Sequence, residues 1–94
     1  MITRIVKLTI EPEKSDAFMS FFKDNKNSIE SVNGCIDVIL LQDVNTQNIF
    51  FTYSHWESET HLNCYRESDL FKLIWNHAKS CFCDRPQAWT LANK

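Results

Sequence analysis

Apolar residues in this chain recur at every second position, then at helical spacing, then in two short strand-length runs, and then at helical spacing again. That order restricts the fold more than any other feature of the sequence. Ile2, Arg4, Val6, Leu8 and Ile10 share one face of an opening strand over 2–10, with Thr3, Ile5, Lys7 and Thr9 on the other. Pro12 in Glu11-Pro12-Glu13-Lys14 suits a first helical turn, where its missing N–H costs nothing. Phe18, Phe21, Phe22, Asn25, Ile29 and Val32 then follow at helical spacing, with Asn25 the one polar member, and predict a helix of about four turns.

Asn33-Gly34 ends that helix, since glycine takes the left-handed cap conformation without steric cost. Residues 35–41 and 49–56 read as strands joined by the polar turn Asn45-Thr46-Gln47-Asn48, hence a hairpin. Ser58 and Ser68-Asp69 are helix starts, predicting a short helix near 59–66 and a longer one near 69–82 with Phe71, Ile74, Trp75, Ala78 and Phe82 as its stripe. Arg85-Pro86 stops it, and 87–92 forms a last strand.

Strand, helix, strand, strand, helix, strand is the split βαβ order of ferredoxin-like α+β folds, here in one domain over 1–94. Right-handed crossovers place the helices on one face of a four-stranded antiparallel sheet. Val38-Ile39-Leu40-Leu41 and Ile49-Phe50-Phe51 are apolar on both sides, so the other face is expected to meet a second copy in a homodimer.

Composition removes several functions. One glycine in 94 residues leaves no glycine-rich phosphate loop. A net charge of -2 with scattered basic residues gives no footprint for nucleic acid. No apolar run approaches the roughly 20 residues of a membrane span. Four cysteines without CxxC or an evident signal peptide read as free thiols in the cytoplasm. His77-x3-Cys81-x-Cys83 lacks a fourth ligand at zinc-like spacing, so no metal is expected.

Trp56-Glu57-Ser58-Glu59-x-x-Leu62 followed by Ser68-Asp69-Leu70-Phe71-Lys72 resembles the antibiotic biosynthesis monooxygenase family. Gly34-Cys35, Leu41-Gln42-Asp43 and Pro86-x-Ala88-Trp89 extend the likeness along the chain. The resemblance implies a dimeric α+β barrel with a pocket in each subunit between sheet and helices. Its members include cofactor-free oxygenases of quinols and polycyclic aromatics, haem-degrading enzymes and isomerases of small carbonyl compounds. Where the haem-degrading branch carries Asn, Trp and His, this chain has Val6, Tyr65 and Trp75, and Thr52 replaces the Asn four residues before the strand-three Trp.

Trp56 is expected either at the pocket mouth, stacking on an aromatic substrate, or as a plug between sheet and helix. Thr52 and Ser54 share its strand parity and could leave room for a ligand. Tyr65, Phe71 and Trp75 would supply pocket walls or ordinary core. Among three histidines, His61 is the leading candidate for the base that removes a phenolic proton. His55 has the opposite parity to Trp56 and should face the second copy, while His77 should be solvated. The reading is a cofactor-independent monooxygenase of a hydroxylated aromatic or quinol. Its rivals are a non-catalytic small-molecule-binding or stress-associated dimer and an isomerase of a small carbonyl compound.

Overall fold

The structure, a computed structural model, describes residues 1–94. Strand β1 (Ile2–Thr9) leads through a short 3-10 turn at Pro12–Lys14 into helix α1 (Ser15–Glu30). The hairpin β2 (Cys35–Gln42) and β3 (Ile49–Trp56) follows, then helices α2 (Glu59–Arg66) and α3 (Asp69–Lys79), and strand β4 (Gln87–Ala92). All pairings are antiparallel, in the order β2-β3-β1-β4. This is the predicted ferredoxin-like sheet, with β1 central because it pairs Val6 with Thr52 of β3 and with Ala88 of β4.

The expectation of a barrel is corrected. β2 pairs only with β3 and β4 only with β1, so both outer strands are free edges and the sheet is open. The physical reason is strand number: small closed barrels take about eight strands, and four twisted strands cannot curl far enough for the outer two to meet. The apolar outer face, which prompted the expectation of a second copy, is real. Ile39, Leu41, Trp89 and Leu91 are all exposed there, Leu41 at 46%.

Strand parity settles which side chains meet the helices. Leu8, Ile10, Val38, Phe50, Ser54 and Trp56 are buried beneath them. The side chains divide into two clusters. One gathers Leu8, Ile10, Phe18, Phe50, Ala78 and Cys81. The other gathers Phe22, Ile29, Val38, Trp56, Leu62 and Tyr65. Phe50, Ile10 and Trp56 are fully enclosed, each stabilising the fold by about 1.5–3 kcal/mol through area removed from water.

Serine caps start both later helices as the sequence predicts: Ser58 Oγ accepts from the His61 N–H, and Ser68 Oγ from the Phe71 N–H. The end of α3 differs from prediction. The helix stops at Lys79, and Phe82 makes a bridge to Ile10 instead of a fourth turn. The end of β1 competes for this backbone: the Glu11 N–H donates to the Cys81 carbonyl and the Cys83 N–H to the Thr9 carbonyl.

Candidate active site

Between the two core clusters lies a cavity of about 100 Å³. Leu8, Phe18 and Ala78 of one cluster and Phe22, Ile29 and Val38 of the other form much of its wall. Asn25 of α1 and Thr52 of β3 are its polar residues, joined by the phenol-bearing Tyr65. The Asn25 amide nitrogen donates to the Phe21 carbonyl at 2.9 Å, which fixes the side chain at the wall. Burial pushes the Tyr65 hydroxyl up to about 12, with a further contribution from Cys35, so at neutral pH it is a hydrogen-bonding phenol and not a base.

A second hollow, a more open cleft of about 300 Å³, adjoins the first and shares Val6, Phe71 and Trp75 with it. Its floor is Ser54 and Trp56, and its far side is formed by Pro86, Gln87 and Ala88 at the start of β4. Arg4 of β1 and Arg66 of α2 complete it. Phe71 stacks on Trp75 with ring centres 5.8 Å apart, and both rings border both hollows.

Trp56 is 1% exposed, its ring stacked on Tyr65 at 5.0 Å and its indole N–H donating to Ser54 Oγ at 3.0 Å. Its one donor is therefore spent inside the protein. Ser54 in turn reaches the Arg4 carbonyl at 3.5 Å. Thr52 and Tyr65 stand at the cavity, Ser54 and Trp56 at the cleft, and Phe71 and Trp75 at both.

His61 lines neither hollow. Its Nδ1 is 2.7 Å from Ser58 Oγ, and its ring lies against Gly34, where an added Cβ would overlap it. Gly34 also has φ of +88°, so this position needs glycine for both backbone and space. His55 lies on the outer face, with Nδ1 2.7 Å from Asp37 Oδ1. His77 is exposed and stacks on Phe21 at 3.8 Å. No three His, Cys, Asp or Glu side chains converge as a metal-ligand group.

A pocket between a four-stranded sheet and its helices has known counterparts. The sequence profile described as "Antibiotic biosynthesis monooxygenase" matches residues 1–74. The chain belongs to that family. No curated protein matches it. Among solved structures, a conserved protein from Methanosarcina mazei Go1 superposes with a TM-score of 0.91 at 26% identity, over 100% of this chain and 94% of that one. An antibiotic biosynthesis monooxygenase superposes with a TM-score of 0.91 at 14% identity, over 100% and 99%. Rv0793 from Mycobacterium tuberculosis gives 0.89 at 13% identity, over 99% and 94%. The last two likenesses concern the fold alone.

Within this family member, Val6, Tyr65 and Trp75 all reach the cavity wall. The sequence reading missed two contributors. Asn25 was visible as the polar member of an apolar stripe. Arg4 was visible as a cation on the face of β1 that otherwise carries Ile2, Val6, Leu8 and Ile10.

Proposed function

We propose that this family member is a cofactor-independent monooxygenase whose substrate, a hydroxylated aromatic of the quinol or anthrone type, is held across the cavity and the cleft beside it. The observation that carries the reading is the cavity itself, a recess between core clusters with largely apolar walls and only Asn25, Thr52 and Tyr65 to orient an oxygen. The substrate anion gives one electron to dioxygen, the radicals combine to form a C–O bond, and loss of water from the resulting peroxide leaves a carbonyl. One oxygen atom stays in the product and the other leaves as water, so the substrate supplies every electron. The protein's part is to orient the ring and keep water from the intermediates.

The cavity wall carries no carboxylate or imidazole. The substrate therefore arrives as the anion it already forms in water, and the proposal assigns His61 no proton transfer. Oxygen uptake with a panel of quinols and anthrones after EDTA treatment is the test. Protein-dependent uptake should rise with pH along each substrate's own ionisation and persist in a folded His61→Ala variant. Uptake no faster than in protein-free buffer would sink the proposal.

The same lack of an acid or base favours a second reading, a binding protein that holds such compounds without turnover. That protein would show saturable binding with no added oxygen uptake. An isomerase of a small carbonyl compound needs two acid/base groups facing each other, which the wall does not supply.

The exposed Ile39, Leu41, Trp89 and Leu91 support face-to-face association of two copies through their open sheets, with neither sheet closing. Light scattering on eluted protein should give twice the chain mass for wild type and the single-chain mass for Leu41→Lys/Trp89→Lys. A wild-type mass of one chain at micromolar concentration would exclude the association. Four free cysteines, two of them exposed, support a reducing compartment such as the cytoplasm.

A further inference from the structure

The cleft beside the cavity holds two cations that no acid neutralises. Arg4 and Arg66 both line it, and neither takes part in either of the chain's ion pairs, Lys14 with Glu11 and His55 with Asp37. Two uncompensated guanidinia repel each other, and a fold tolerates that more readily where an anion comes to join them. Arg4 is held for such a task. Its Nη1 donates to Thr90 Oγ1 at 2.6 Å across the β1–β4 ladder, where the two residues are register partners. One of its five donors is thereby used to fix the fork, leaving the others free.

Burial and the proximity of Arg66 both lower the Arg4 pKa from its ordinary value, which places the two charges in one electrostatic environment. Val6, Phe71, Trp75 and Pro86 stand beside them, so the two charges sit at the edge of an apolar wall in a cleft open to solvent. That cleft adjoins the cavity, with Val6, Phe71 and Trp75 bordering both.

We propose that Arg4 and Arg66 form a carboxylate-binding subsite, and that the ligand is an aromatic acid with its ring toward the apolar cavity and its carboxylate at the two guanidinia. A planar carboxylate matches the forked donors of arginine in a way that a single phenolic oxygen does not. The inference rests on the cavity being the ligand site and names the substrate class for it, but requires no oxidation there.

The probe is 2-naphthoate, compared with 2-naphthamide, which keeps the ring and shape and removes the charge. Titration calorimetry on the full chain should show the acid binding at least tenfold tighter than the amide, with the preference shrinking as salt is raised. Arg66→Gln, on an exposed helix position and so safe for folding, should cut acid affinity about tenfold and leave the amide unchanged. Arg4→Gln should do the same, and Arg4→Lys should recover only part of the loss. Equal affinity for acid and amide, an acid preference that survives in the double Gln variant, or binding of neither compound by folded protein would each overturn the proposal. Naphthoate binding is read without turnover, so failure here and failure of the oxygen-uptake test are separate results.

Discussion

The two hollows behind the sheet share Val6, Phe71 and Trp75, yet one is walled by carbon and the other carries two arginines. The difference follows from what lies beneath each. The cavity draws strand residues from β1, β2 and β3, where Leu8, Val38 and Thr52 meet the helical residues Phe18, Phe22 and Ile29. The cleft lies toward β4, whose residues are exposed along their whole length and whose helix-side members Ala88 and Thr90 are small. Small residues on an edge strand leave a trough, and a long cation from the neighbouring strand can occupy it. The contrast teaches that an apolar shape and a pair of charges can be set in adjoining spaces by the size of the strand residues beneath them.

The strongest way to break this contrast is at the floor. Trp56 borders the cleft but is packed as core, so Trp56→Ala should lower unfolding free energy by about 3–5 kcal/mol in urea titration. Trp75, partly exposed and standing between the hollows, should cost less than half as much when changed to alanine. Equal losses would mean that Trp75 is packed as core just as Trp56 is.

A smaller effect separates the hollows by pH. The Tyr65 phenol titrates near 10 when unfolded and is pushed up to about 12 in the folded cavity wall. Below pH 10 both states hold the proton and nothing is lost. Between pH 10 and 12 the unfolded chain ionises while the folded one does not, so stability falls with rising pH by about 2–3 kcal/mol in total. Tyr65→Phe should remove that part of the decline. Part of the slope should remain, because burial pushes the Cys35 thiol up to about 11, with the same sign. A Tyr65→Phe variant with the full wild-type slope would show that its hydroxyl is not desolvated.

The secondary elements were legible because each rests on local rules: period-two alternation in β1, serine caps at Ser58 and Ser68, and Gly34 after α1. The end of α3 was not, since Phe82 fits the helical stripe and only the distant Thr9–Glu11 backbone draws it away. The barrel was not legible either. Apolar residues on both sides of a strand reveal a sticky face, but carry no information about whether the sheet edges meet. At the site, parity alone grouped Thr52, Ser54 and Trp56 on one strand face, while which face meets the helices came from the structure. Arg4 needed the arrival of Arg66 from another element, and His61 needed the contact with Gly34, both long-range facts absent from local spacing.

The gap that divides the core has a last consequence. A molecule that fills it touches Phe18 and Ala78 on one side and Phe22 and Val38 on the other, and so supplies the missing keystone between two halves of the interior. Occupancy and folding are then a single linked equilibrium. A compound present at a hundred times its dissociation constant should stabilise the protein by about 2.7 kcal/mol. Melting temperature thereby becomes a meter for affinity, and a library of aromatic acids can be ranked against this chain before any reaction is assigned to it.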